Sequence, residues 1–231
     1  MEYEHLMSRY SQTTGTKGSL KWTQKLINDK PHLLNSEITN VFNLKDPEEI
    51  EWVSPRKDDE YAEYRDGAFL KQLCITLRKT PLKEFWPRWG PQWDALGRTN
   101  SGKILLVEAK AHVEELVTSP TGAGPKSLQK IRASLTEVKK YVNSTSEADW
   151  SSYFYQYTNR LAHLYLLRVL NNIPAFLVFV YFLNDEAMQG PSTEAEWRAA
   201  IKLTHKYLGI KRNRLSRYMG DIFVDVNELR D

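Results

Sequence analysis

Asp94, Glu108 and Lys110 have the types and spacing for metal-assisted hydrolysis. Glu108 and Lys110 are two apart, directly after the apolar run ILLV at 104–107. Such a run reads as a central strand covered on both faces. Period two puts both charged side chains on one face, where the strand leaves the core, and His112 continues that face. Asp94 lies across the turn signal Arg98-Thr99-Asn100-Ser101-Gly102. A hairpin closed there pairs positions whose numbers sum to about 201 to 203, which brings Asp94 opposite Glu108. Two facing carboxylates repel unless a cation stands between them. Hard divalent cations such as Mg²⁺ or Mn²⁺ take such oxygen ligands. A lysine beside them can hold the attacking water or counter charge on a phosphoryl group. The alternative is a Glu108–Lys110 salt bridge that only closes the strand end.

These side chains need a scaffold. Residues 19–28 read as a short helix with an apolar stripe of Trp22, Leu26 and Ile27, and a second short helix follows Pro31. The first eighteen residues are polar and suggest a loose arm. Residues 46–59 carry prolines and many charges and read as surface loop. Residues 59–77 read as an amphipathic helix, with Tyr61, Tyr64, Ala68 and Phe69 at helical spacing. After the hairpin, 118–125 (TSPTGAGP) is loop and 127–142 is a helix with a mixed surface. Residues 150–171 read as a longer, largely apolar helix. Its polar stripe of Gln156, Asn159, Arg160 and His163 falls at i, i+3, i+4 and i+7. That stripe must face water or a polar cavity, because buried amides need partners. AFLVFVYFL at 175–183 is a buried strand, and a helix capped by Ser192 or Thr193, with Glu196 completing a capping box, runs to Leu208 and Gly209. DIFVDV at 221–226 is a final strand. The order predicts an α/β sandwich with a central mixed sheet flanked by helices, rather than a regular βαβ series.

The run WGPQWDALGRTNSGKILLVEAKAH at 89–112 resembles the core of the PD-(D/E)XK nuclease superfamily. Those enzymes carry an Asp on one strand and a Glu-x-Lys or Asp-x-Lys on the next, here Asp94 and then Glu108-Ala109-Lys110. The order of elements extends the resemblance over 59–183. It differs in having Trp93, not proline, directly before Asp94, with Pro91 three back. The resemblance implies a restriction-endonuclease-like sandwich over 51–231, preceded by an arm with short helices over 1–50. It implies a divalent-metal-dependent nuclease that cuts phosphodiesters of nucleic acid, DNA before RNA, with Mg²⁺ or Mn²⁺ held by Asp94, Glu108 and a helix-borne Glu63. Glu60, one turn earlier, is the alternative to Glu63. Gln156 is similar in kind to a helix glutamine of the exonuclease-like branch, although the helix at 127–142 intervenes. His112, Asn159, Arg160 and His163 are candidate auxiliaries. A catalytically inactive binding or regulatory module of the same fold is the competing expectation.

Bulk properties fit and exclude. The 231 residues, 41 % apolar and 26 % charged, suffice for one α/β domain with a short extension. A net charge of +3 gives no broad field, so a nucleic-acid partner needs a local basic patch. Two groups qualify: Lys206, Lys211, Arg212, Arg214 and Arg217, and Lys71, Arg78, Lys79, Lys83 and Arg88. Cys74 alone makes no internal disulfide. No signal peptide is expected, and the most apolar stretch, 173–183, is too short to span a bilayer, so the expected location is cytoplasmic. The oligomeric state is open, a homodimer included. Gly122-Ala123-Gly124-Pro125-Lys126-Ser127 is no phosphate loop, because Pro125 replaces the glycine before the lysine and lacks an N–H. It reads as a mobile flap near the site.

Overall fold

The computed structural model describes residues 8–45 and 48–230; the first seven residues of the expected arm and residues 46–47 of the expected loop lie outside that range. Five strands form one mixed sheet: β2 (Ile50–Ser54), β4 (Ala95–Thr99), β5 (Ile104–Lys110), β6 (Ala175–Leu183) and β7 (Met219–Asp225), in the order β2-β4-β5-β6-β7. The β2–β4 and β4–β5 pairs are antiparallel, and β5–β6 and β6–β7 are parallel. A two-stranded ribbon, β1 (Arg9–Tyr10) with β3 (Glu63–Tyr64), stands apart from it. Helices cover both faces, as the apolar character of β5 and β6 requires.

One face carries Leu105, Val107 and Ala109 and packs on Trp22, Leu26, Leu34 and Ile38. Those four belong to α1 (Gly18–Asn28) and α2 (Pro31–Phe42). Residues 8–17, the described part of the expected loose arm, are instead tied down: β1 pairs with β3, Arg9 bonds Asp59 and Glu60, and Gln24 bonds the backbone of Thr13 and Gly15. The expected short helices after them form a full layer of the sandwich, because the apolar stripe of α1 would otherwise leave Trp22 in water. The opposite face carries Ile104, Leu106, Leu177 and Phe179. It packs under α5 (Pro125–Tyr141), α6 (Tyr155–Tyr165) and α7 (Glu194–Leu208). Thr193 caps α7 in the expected box with Glu196, and Gly209 ends it at φ 65°.

Three other expectations change. Residues 59–77 are not one helix. Glu60, Tyr61 and Asp66 adopt left-handed backbone (φ 53°, 49° and 52°), which interrupts a right-handed helix. What forms is β3, then α3 (Asp66–Gln72); a single turn, α4 (Leu82–Phe85), follows. Residues 50–54 are not loop but the edge strand β2. Its outward Glu51 pairs with Arg98, and charge on an edge strand imitates a loop in sequence. The long helix starts at Tyr155 rather than Trp150, after Phe154 turns the chain at φ 61°, and it ends in a π-helical turn over Leu166–Leu170. Among the described residues, no helix is long and apolar enough to cross a membrane.

Close packing also fixes the end of β5. A Cβ on Gly190 would stand 2.1 Å from the backbone oxygen of Ala111, the residue after Lys110. Overpacking against backbone costs about 1–3 kcal/mol. Gly190→Ala is therefore expected to lower the unfolding free energy by at least that lower bound in urea titration. A change within a few tenths of a kcal/mol would disprove the close approach.

Candidate active site

The hairpin register puts Ala95 opposite Val107, so the next position outward sets Asp94 opposite Glu108. One Asp94 oxygen accepts the Ala109 N–H at 2.7 Å and anchors the side chain across the strand gap. Glu108 and Lys110 continue the face of Ile104 and Leu106, beneath α6. Both are buried, at 2 % and 7 % exposure.

Burial of this kind demands partners, and α6 provides them. Lys110 Nζ donates to Glu108 Oε1 at 2.5 Å and to Gln156 Oε1 at 2.7 Å. Arg160 Nε donates to the other Glu108 oxygen at 2.6 Å. Its remaining nitrogens reach Asn159 Oδ1 at 2.9 Å and the backbone oxygen of Gln92 at 2.6 Å. The Arg160 guanidinium also lies 4.9 Å from the Trp93 ring centroid. Gln156, Asn159 and Arg160 of the helical stripe thus face a polar cavity, not solvent.

Glu63 reaches the same place from β3 rather than from a helix. Tyr64 bridges to Trp93, and Trp93 N–H donates to the Tyr64 oxygen at 3.2 Å. That bridge holds β3 beside the approach to Asp94, and Gln92 Nε2 donates to Glu63 Oε2. Glu60 does not join the site. It turns outward and pairs with Arg9. A cavity of about 1040 Å³ is lined by Glu63, Asp94, Glu108, Lys110, Gln156 and Arg160, with Asn159, Gln92 and the loops at 88–92 and 117–124. Of the expected flap at 122–127, residues 122–124 belong to the loop that borders the site, whereas 125–127 begin α5; in the same loop Thr118 Oγ1 accepts the Gln156 N–H at 3.1 Å.

The three carboxyl groups differ electrostatically. Burial alone would raise Glu108, but Arg160 and Lys110 together hold it below the usual carboxylate value. Burial raises Asp94 well above its usual value, and the charges of Glu108 and Glu63 add to that. Burial also raises Glu63, against the Gln92 hydrogen bond, which lowers it. The ionised form is thus favoured at Glu108 and disfavoured at Asp94 and Glu63.

Two sequence candidates stand elsewhere. His163 is buried among Phe69, Trp86 and Trp93, and its Nδ1 lies 2.8 Å from the Asn159 oxygen. Burial lowers its pKa to about 3, so it is a neutral core residue that supports the site walls. His112 follows the end of β5 and turns to Glu114 (2.9 Å) and Glu115 (3.2 Å), outside the cavity lining. Gln92 escapes the sequence reading, though its position carries a signal. It lies two before Asp94, on the short run that leads into β4.

The asymmetry between Asp94 and Glu108 gives a pH prediction. An acid whose pKa is higher folded than unfolded costs nothing below its unfolded value, about 3.9, and costs progressively more as pH rises through the folded value. In chelator, Asp94→Asn should therefore unfold at higher urea than wild type at pH 8 and at equal urea at pH 3. An equal difference at both pH values would refute the electrostatic account.

Among the described residues, no three acidic, imidazole or thiol groups stand together as a ready metal cage. Glu63, Asp94 and Glu108 share the cavity without forming one. The chain matches no protein-family model, no curated protein and no solved structure.

Proposed function

We propose that the protein is a divalent-metal-dependent phosphodiesterase with a restriction-endonuclease-like sandwich, acting on nucleic acid, DNA in the first place. The observation that supports this best is the convergence of Asp94, Glu108, Lys110 and Gln156 on one cavity. They come from the entry to β4, the end of β5 and the first turn of α6. An ammonium sits between an acid and an amide, beside a second acid whose ionised form burial and the neighbouring carboxylates disfavour in the absence of a cation.

The donor set fits Mg²⁺ or Mn²⁺. It offers oxygen ligands only, and Mg²⁺ commonly uses one or two carboxylates and keeps several waters, so a closed three-residue cage is not required. Asp94 and Glu108 would hold the ion. When bound, it supplies positive charge that polarises the phosphoryl group and the leaving oxygen. Lys110 has three N–H bonds, of which Glu108 and Gln156 take two. The third is left for the attacking water or a phosphoryl oxygen. The water oxygen forms the new bond to phosphorus, and the bond to the sugar oxygen breaks with its electron pair staying on that oxygen, which takes a proton from solvent. Glu63, held by Gln92, can accept the proton that the water loses. Arg160 keeps Glu108 ionised and oriented.

A second reading is a catalytically inactive module of the same fold. It is favoured by one feature: both Glu108 oxygens are already neutralised, by Lys110 and Arg160. Calorimetric titration of Mg²⁺ and Mn²⁺ into wild type and Asp94→Ala separates the two, followed by incubation with single- and double-stranded DNA and with RNA. Binding abolished in Asp94→Ala, together with metal-dependent cleavage, is the expected result. No cation binding and no cleavage of any of the three would leave the inactive module.

A further inference from the structure

Three arginines of one of the two basic groups in the sequence line a cavity of their own. Arg212, Arg214 and Arg217 stand with Arg168 around a space of about 700 Å³. Arg168 lies in the π-helical turn that leads into β6, and the three others precede β7. Both strands run parallel to β5, and the register aligns Ile104 with Ala175 and Lys110 with Tyr181. Six residues at about 3.3 Å each put this cavity roughly 20 Å from the candidate active site, at the other end of the strands.

Its electrostatics are one-sided. No Asp or Glu lines it. Arg9, Arg56, Arg98, Arg132, Arg160 and Arg198 all pair with carboxylates. None of these four does so among the described residues. Arg168 is half-buried, donates to the Ala175 oxygen at 2.8 Å, and packs 3.2 Å from the Tyr218 ring centroid. Arg217 lies 4.7 Å from that same ring, and Arg214 5.7 Å from the Tyr141 ring. Burial lowers the Arg168 pKa, against the Tyr218 hydroxyl, which raises it, and the charge of Arg217 adds to the lowering. Four guanidinium groups thus share a concavity without a counter-charge. Guanidinium forks match phosphate oxygens bidentately. Two of them already cover Tyr218, so this ring is not free to stack on a base. Recognition would be of phosphate, not of sequence.

We propose that this cavity is a second phosphate-binding site, which takes the phosphodiester backbone of a nucleic acid at a distance from the candidate active site. The phosphate chemistry stands on the arginines alone; the choice of nucleic acid over a small phosphate rests on the proposed function. A span of about 20 Å corresponds to roughly six nucleotides along one strand.

The test uses the full chain in EDTA, so that binding is read without cleavage. Duplex oligonucleotide binding by fluorescence anisotropy and inorganic pyrophosphate binding by calorimetry are compared for three proteins. These are wild type, the triple variant R212Q/R214Q/R217Q and the charge-keeping R212K/R214K/R217K. The three positions are exposed, so the fold is expected to survive. The glutamine triple should bind duplex at least tenfold more weakly. Its dependence of log K on log salt should flatten by about 0.9 for each phosphate that the variant no longer neutralises. The lysine triple should keep most of the salt slope. Pyrophosphate binding abolished with duplex binding unchanged would overturn the nucleic-acid assignment. Duplex and pyrophosphate binding both unchanged would overturn the site itself. Because no step requires a metal or turnover, failure of the catalytic reading leaves this result readable.

Discussion

Lys110→Met is expected to lower kcat by about 10²–10³, the range seen when one transition-state donor is removed, while leaving divalent-cation binding in place. Methionine keeps much of the unbranched stem and removes the ammonium. The proposed cation ligands Asp94 and Glu108 remain, and Arg160 still holds one Glu108 oxygen. What disappears is the N–H not used by Glu108 or Gln156. If that N–H acts on the transition state, kcat falls and KM stays close to wild type. Lys110→Arg is the informative companion. It restores charge, but a planar fork cannot place its donors like a tetrahedral ammonium, so it should recover stability and little turnover. Full activity in Lys110→Met would make the lysine a structural partner of Glu108 and remove it from the chemistry.

The opposition of Asp94 and Glu108 was legible in the sequence because two local signals agree. The Asn100-Ser101-Gly102 turn sets the register, and the apolar run before Glu108 identifies a doubly covered strand. A slip of one residue would have turned every side chain to the other face. Gln156 and Arg160 were legible as a polar stripe on an apolar helix. Their partners were not, because Arg160 and Glu108 are 52 positions apart and only packing brings them together. Glu63 belongs to a strand where its neighbours' spacing suggests a helix. Tyr61, Tyr64 and Ala68 satisfy helical spacing, whereas the left-handed backbone at Glu60 and Tyr61 has no signature in those residue types, and only Asp66 is of a type that visits it. The edge strand β2 was hidden by the charges in and around it: Glu51 serves the solvent side, while Trp52 and Ser54 are buried. The N-terminal helices were legible, but their role as a sheet layer was not. Trp22, Leu26 and Ile27 already required a covering surface, and that requirement was the available clue.

Arg160→Met should cost about 3–5 kcal/mol of stability, because it leaves Glu108 buried with one cationic partner instead of two. At 4 % exposure, Arg160 meets little water, and it holds Glu108, Asn159 and the Gln92 oxygen together. For a chain of this size about 1 kcal/mol moves Tm by 2–4 °C, so thermal unfolding should fall by about 10 °C. The penalty has two sources that a second substitution separates. Glu108→Gln in the Arg160→Met background removes the orphaned charge, so the double variant should be more stable than Arg160→Met alone. The pH dependence has a definite sign. Glu108 titrates below its unfolded value, so its contribution is present above about pH 4.3 and is lost as pH falls through the folded value. The difference between wild type and Arg160→Met should therefore shrink in acid. A loss under 1 kcal/mol at pH 7 would reduce the pair to the worth of a surface salt bridge. Cation binding offers an independent check. A divalent ion at Glu108 must share it with Arg160, so removing the arginine should increase the Tm gained on adding Mg²⁺ in chelator-free buffer. If that gain is unchanged, Arg160 supports the fold without competing for the ligand, and Asp94 would then carry the cation alone.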